Sequence, residues 1–342
     1  MKSIEVFPHI YSISTKIVLS SLFSLTALVA TSTTSSLAEE LNASIGINTW
    51  IGFTPLYIAR EKGFFIEEGL DLDVQVFSGN DNTLAFAAGR IDGFASITSE
   101  AVLLKSRGKD FRIVLVEDFS LGADGILARN TIPDIAGFSG QRIAVEEIGV
   151  SHFFLLQVLD TAGLTESDVT LVNLKPESAA AAYQSGQIDI AVTYAPFLDR
   201  ANQAVPEGRI IFDTSEMPTA ITDLYIFDTK FTENNPDAIK AFVRGIFRGI
   251  EFLDENPEEG LAIAADELGV TPEELAADLE GIELVDLTTN LEVLGNPDSD
   301  LYLLKPMNDM ATFLFENKQI DRLPELEETI DPQFVNAIQE NQ

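Results

Sequence analysis

The chain has 342 residues, 46% hydrophobic and 22% charged, a globular composition with length for about two domains and too apolar for disorder. Its formal charge of −34 makes nucleic acid and anionic membrane surfaces poor partners and fits a soluble or salt-adapted surface. With no cysteine, disulfides, thiol nucleophiles, iron–sulfur centres, thiolate zinc sites and a lipid-anchor thiol are all excluded.

In chain order, the first feature is a targeting segment. Lys2 and Lys16 precede an apolar run at 17–30, too short for a comfortable membrane span, and Ser36-Leu37-Ala38 fits a small-x-small cleavage site. Cleavage after Ala38 is expected, leaving Glu39 as the mature terminus. Residues 43–65 then read as a strand at Ile45 and Ile47, an exposed loop carrying Trp50, and a helix opening at Thr54-Pro55 with Thr54 as N-cap. That helix stops at Gly63.

The pattern recurs about a hundred residues later. Residues 43–94 and 141–191 each give strand, Gly-containing loop, helix, Gly-Leu corner, strand, small-residue helix and strand. The clearest match is Gly89-Arg90-Ile91-Asp92 against Gly186-Gln187-Ile188-Asp189, each leading into an apolar strand. A β-α-β-α-β order repeated twice implies two similar α/β lobes with mostly parallel sheets flanked by helices. Between and after the halves, strands are expected at 111–117, 122–128, 210–212 and 224–227, with a short helix at 134–140. From Pro236 the chain turns helical: helices follow Asn234-Asn235-Pro236, Asn256-Pro257 and Thr271-Pro272-Glu273-Glu274, and a last one covers about 301–316. These helices are expected to return to the first lobe, with 118–122 and 213–223 as the two crossings. The resulting layout is 1–38 signal peptide, 39–119 with 225–342 as lobe I, and 120–224 as lobe II.

Enzyme chemistry has little to draw on. Beyond the leader the sole histidine is His152, there is no G-x-S-x-G, P-loop or G-x-G-x-x-G, and adjacent carboxylates are abundant enough to arise by chance. No catalytic residue, metal site or cofactor is therefore expected. Binding is better founded. In open parallel sheets, ligands lie outside the carboxyl ends of strands, where loops enter helix N-termini. Loops 50–54, 78–83 and 97–99 in one half, and 146–152 and 193–196 in the other, occupy such positions and would face each other across one crevice. The same Ser, Thr and Asn residues also serve simply as caps, His152 as a satisfied cap-region histidine and Tyr194 as core. Trp50→Ala is expected to weaken binding and leave the fold intact. Glu146, Glu147, Asp118 and Asp223 fall near these loops or crossings; two of them facing the cleft would favour a zwitterion or cation over a bare anion.

Trp50-x-Gly-x-x-Pro-Leu-Tyr-Ile-Ala-Arg-x-x-Gly-Phe-Phe, the Gly-x-Ile-Asp segments, Val145-Glu146-Glu147-x-Gly-x-Ser-His-Phe and Asp189-x-Ala-Val-Thr-Tyr-x-Pro-Phe resemble the solute-binding proteins of ABC importers for nitrate, taurine and alkanesulfonates, of the type II periplasmic-binding class. The resemblance covers roughly 45–228 strongly and implies a two-lobed Venus-flytrap fold that closes on a small molecule and docks on a permease driven by a cytoplasmic ATPase. By position it carries over Trp50, Gly52, Asn80, Thr98, Ser99, Ser151, His152 and Tyr194 as ligand-binding residues. The same superfamily includes pyrimidine-precursor binders and a thiamine-pyrimidine synthase; the latter's Cys-rich segment has no counterpart here. The expected function is capture, as a monomer in the periplasm, of a sulfonate-, taurine- or nitrate-like solute, or a related nitrogen- or sulfur-containing one. The alternatives are a secreted sensor or chemoreceptor input and, further off, an enzyme of the thiamine-pyrimidine type.

Overall fold

The computed structural model of the protein describes residues 41–218 and 220–339; the expected signal peptide and its cleavage site lie outside them. Eleven strands alternate with helices along the described chain: β1 (Leu41–Ile47), β2 (Leu70–Val76), β3 (Gly93–Ile97), β4 (Phe111–Ser120), β5 (Asp124–Arg129), β6 (Arg142–Val145), β7 (Thr170–Asn173), β8 (Ile190–Tyr194), β9 (Gly208–Asp213), β10 (Thr222–Asp228) and β11 (Ile282–Leu284). They form two sheets, ordered β11-β4-β10-β3-β1-β2 and β7-β6-β8-β5-β9, and each sheet marks one lobe.

The internal repeat is visible in the pairing. β1 lies between β2 and β3 in one sheet, β6 between β7 and β8 in the other, and all four pairings are parallel. Parallelism stops there. β10 runs antiparallel to β3 and β4, β11 antiparallel to β4, and β5 antiparallel to β8 and β9. In strand direction both sheets are thus mostly parallel, β1–β4 in one and β6–β9 in the other; β5 and β10, which have crossed from the other lobe, and the edge strand β11 run the opposite way. The chain changes sheets between β4 and β5, and returns between β9 and β10.

In lobe II, the period-two alternation of strand side chains decides the layers. Ile143 and Val145 of β6, Ile190 and Val192 of β8, and Ile126 of β5 join Phe154, Leu155 and Val158 from the helix Val150–Thr161 in one buried cluster. The intervening Ala144, Ala191 and Leu127 join Ala179, Ala180 and Tyr183 from the helix Pro176–Gln184 in another. In lobe I, the helix Pro236–Glu255 supplies Ile239, Phe242, Val243 and Ile246, a stripe at helical spacing, against Phe65, Tyr225 and Phe227. Residues of the chain's last third, Leu275, Val293, Met307, Leu314 and Phe334 among them, are buried in the same cluster. That last third is not wholly helical, though: β11 adds an edge strand, too short at three residues to carry a clear alternation.

The Gly-x-Ile-Asp element also acquires a physical reason. Gly89 and Gly186 adopt left-handed backbone (φ 67° and 75°) just after a helix, where a side chain would be strained. Ile91 and Ile188 are buried beneath the turn. Asp92 then accepts from the Ser44 amide at 2.9 Å and the Ser44 hydroxyl at 2.7 Å, tying the turn to β1.

Candidate functional site

The site forms where the two lobes meet, at the carboxyl ends of β1, β3 and β8. Beyond β1, Trp50 is extended and leads through a 3-10 turn, Ile51–Phe53, into the helix Thr54–Glu61. Thr54 is not the N-cap expected of it. The turn runs straight into the helix, so its hydroxyl donates back to the Ile51 carbonyl at 2.7 Å. The Trp50 ring is not exposed either, at 4% of its possible surface. Its Nε1 donates to Asp118 Oδ2 at 3.0 Å, and its ring meets Tyr194 of the other lobe edge-on at 5.8 Å. Gly52 makes this possible: a Cβ there would lie 2.0 Å from Asp118 Oδ2 and 2.4 Å from Trp50 Nε1.

Trp50 and Tyr194 line a cavity of about 30 Å³ between the lobes, with Phe53, Asn48, Asn82, Ser96, Ile97, Glu100, Asp124, Val150 and Asp223 among its other walls. Asn48 Nδ2 reaches Tyr194 Oη at 3.4 Å across it. A volume of this size has room for water rather than for a solute of several heavy atoms.

The remaining expected residues sit around this cavity rather than on its walls. Asn80 is at the lobe junction, where its amide donates to Glu146 Oε1 at 3.1 Å and its side chain to the Glu147 carbonyl at 3.5 Å. Lys175 Nζ spans the same junction to Asp81 at 2.6 Å, and Ser78 donates to Glu177 at 2.6 Å. Thr98 is buried, its hydroxyl 3.4 Å from the Thr222 carbonyl, and Ser99 is buried beside it in the helix Thr98–Ser106. Ser151 is buried, its hydroxyl without a hydrogen-bond partner among the described residues. His152 serves the backbone: its Nδ1 accepts from the amide of Ile148, a non-glycine residue at φ 64°, and its Nε2 lies 3.7 Å from Glu166. Burial holds this imidazole below its ordinary pKa, against the pull of Glu166 and Glu147.

What the pattern of loops did not single out is the number of acids at the centre. Glu100, Asp124 and Asp223 line the cavity; Glu117 and Asp118 lie behind it; all five are at least nine-tenths buried. Burial is the leading cause that raises every one of them. Glu100 is pushed up to about 8, although Thr83 donates to it at 3.1 Å. Asp124 is pushed up to about 7, with Ser120 hydrogen-bonding its ionised form. Asp223 rises well above the carboxylate range through burial and then through Asp118, Asp124, Glu117 and Glu100. Asp118 also rises; the Trp50 N–H and a proton bridging to Asp223 oppose that rise. Glu117 rises despite accepting from the Tyr225 hydroxyl. Of the four acids named from the sequence, Asp223 faces the cavity, Asp118 backs it through Trp50, Glu146 holds the junction, and Glu147 is exposed. Among the described residues no Lys, Arg or His lines the cavity, and no group of three or more His, Asp or Glu is placed to hold a metal.

Comparison with known proteins fits this geometry to a family. The family model described as NMT1/THI5 like matches residues 50–260, the span from Trp50 through both crossings. The chain belongs to the NMT1/THI5-like family. Within the wider set of relatives, a Bacillus subtilis protein named for binding aliphatic sulfonates is 27% identical over 302 residues, covering 84% of this chain and 86% of its own. The taurine-binding periplasmic protein of Escherichia coli is 26% identical over 228 residues, covering 65% and 69%. The crystal structure of the periplasmic aliphatic sulphonate binding protein SsuA from Escherichia coli superposes with a TM-score of 0.69 at 20% identity, covering 85% of this chain and 98% of that one. The fold is also that of an enzyme, the desulfurization enzyme DszB, at a TM-score of 0.63 and 17% identity, covering 88% and 100%.

Proposed function

We propose that this chain is the periplasmic solute-binding component of an ABC importer, capturing a small nitrogen- or sulfur-containing solute between its lobes and handing it to a membrane permease. The observation that carries the reading is the cavity at the lobe junction, whose walls come from the carboxyl ends of β1 and β3 on one side and of β8 on the other. The names of the sulfonate- and taurine-binding relatives support the solute class. A guest touching both walls stabilises the closed arrangement by its differential affinity for it, and the closed arrangement is the form a permease can distinguish.

The ligand-binding set we assign is Trp50 and Tyr194 on the walls, Gly52 as the residue that lets Trp50 reach Asp118, and Asn80 at the junction; Thr98, Ser99, Ser151 and His152 support the loops. Binding without turnover is the chemistry we infer, since thiol chemistry is excluded by the absence of cysteine and His152 is committed to the Ile148 turn. The protein acts as a monomer after export, its leader cut after Ala38; sequencing the terminus of the exported protein should give Glu39.

The test is a titration of the purified protein with small amines, sulfonates and nitrate, followed by calorimetry and small-angle scattering. One-to-one reversible binding, a smaller radius of gyration and solute recovered unchanged are expected. Chemical conversion of the solute would replace this reading with an enzymatic one.

A further inference from the structure

We infer that the solute presents a cationic nitrogen, an ammonium or a protonated amino-heterocycle, to Asp124, Asp223 and Glu100 in the cavity between the lobes. This rests on the binding function proposed above and narrows its solute class.

Three observations converge. Asp124 and Asp223 are 3% and 7% exposed and both line the cavity; Oδ2 of Asp124 accepts no hydrogen bond from any donor in the described protein, and Asp223 has only the proton it shares with Asp118. A buried carboxylate oxygen without a donor is costly, and a guest that brings N–H groups or a positive charge removes that cost. The two come from different lobes, Asp124 from β5 in one sheet and Asp223 from β10 in the other. A cation between them therefore favours the ionised form of both and holds the lobes together, whereas a bare anion there would find either neutral acids or like charge.

The second observation is aromatic. Phe53, Trp50 and Tyr194 share the same walls, and aromatic faces beside carboxylates are the surroundings that favour an ammonium group. The third is the balance of charge. No basic side chain among the described residues lines the cavity, and Lys175 at the lobe junction is engaged by Asp81 at 2.6 Å. A sulfonate or nitrate ion would find no counter-charge on the walls. A zwitterion such as taurine remains compatible if its amine enters first and its sulfonate stays toward the junction.

The experiment is calorimetry of the purified, extensively dialysed protein against two matched pairs: taurine with ethanesulfonate, and 4-amino-2-methylpyrimidine with 2-methylpyrimidine. The amine-bearing member of at least one pair should bind at least about tenfold more tightly than its partner. Asp223→Asn and, separately, Asp124→Asn should each remove most of that preference. Both are isosteric and relieve a buried acid, so each variant should melt at or above the wild-type temperature; loss of binding with an undiminished melting temperature locates the effect in the site. Should one variant not fold, the other, on the opposite lobe, carries the test. Equal binding of ethanesulfonate and taurine, unchanged in both variants, overturns the cationic-nitrogen inference and leaves the binding function standing. Absence of binding by all four compounds overturns both.

Discussion

Asp124→Asn offers a measurement in which the buried acids reveal themselves through stability alone. Asp124 has an ordinary pKa of 3.8 in the unfolded chain and about 7 in the folded protein, with burial as the main cause. Between those values the folded state holds a proton that the unfolded state has released, so stability falls as pH rises, and the full cost is present above about 7. An interval of that size corresponds to about 4 kcal/mol at pH 8 and to roughly 1.5–2 kcal/mol at pH 5. Asparagine has no proton to lose. Its own burial and hydrogen bonding enter equally at both pH values, so they cancel when the two differences are compared. The advantage of Asp124→Asn over wild type should therefore grow by about 2–3 kcal/mol between pH 5 and pH 8. In thermal melts this is at least about 4 °C. Melting both proteins at pH 5, 6, 7 and 8 without added solute gives the comparison. Parallel curves, or a variant that loses ground as pH rises, would refute the burial of an uncompensated acid at this position.

Substitutions at three further positions test separate parts of the account. Gly79 has φ 56°, and a Cβ there would fall 2.0 Å from Glu146 Oε1 across the lobe junction; Gly79→Ala should push the Glu146 carboxylate off the Asn80 amide and strain the left-handed turn, costing about 1–2 kcal/mol in denaturant melts. Trp50→Ala empties a buried indole position and should cost about 3–5 kcal/mol in denaturant melts, whereas Trp50→Phe, which forfeits chiefly the bond to Asp118, should cost about 1–2 kcal/mol; equal costs would show that the ring contributes nothing by packing. Asn290 is fully buried and binds β4 with its Oδ1 accepting from the Val116 amide at 2.8 Å and its Nδ2 donating to the Val116 carbonyl at 2.9 Å. Asn290→Ala should destabilise lobe I by about 2–4 kcal/mol without altering solute selectivity.

The repeat was readable because it is written in local chemistry. A left-handed glycine after a helix, an isoleucine beneath it and an aspartate that ties back to a strand occupy four consecutive residues, so Gly89–Asp92 announces its own conformation. The helices at 236–255, 257–268 and 272–278 are readable for the same reason, each opening on proline after Asn or Thr, although only Thr271 makes a capping hydrogen bond. Strand direction was not. Whether β10 runs with or against β3 depends on which lobe the chain has just left, and nothing within Thr222–Asp228 records that.

The site divides along the same line. Trp50 and Tyr194 stand at strand ends, and position alone picks them out as candidates. Trp50 was expected to be exposed because its partner Asp118 is 68 residues away and Tyr194 lies in the other lobe. Asp223 and Asp118 lie near the expected crossings, but Glu100 carries no local mark and Asp124 only its place at the head of a strand. Glu100 sits in the first turn of a helix, where an acid is ordinary, and Asp124 opens a strand. Only their convergence from two sheets makes them unusual. The useful signal was available in a different form: an acid at the start of an otherwise apolar strand, Asp124-Gly-Ile-Leu-Ala, and another in Thr222-Asp223-Leu-Tyr-Ile-Phe, both beside a crossing.

The central claim is that the two lobes hold one small solute and release it unaltered. Native mass spectrometry of the protein taken directly from its exported pool, followed by analysis of the molecule released on denaturation, addresses it in one step. The account predicts a single bound molecule per chain, containing nitrogen, with the same mass before and after release. A chain at its bare mass, or a bound molecule that is converted on standing with the protein, would contradict it.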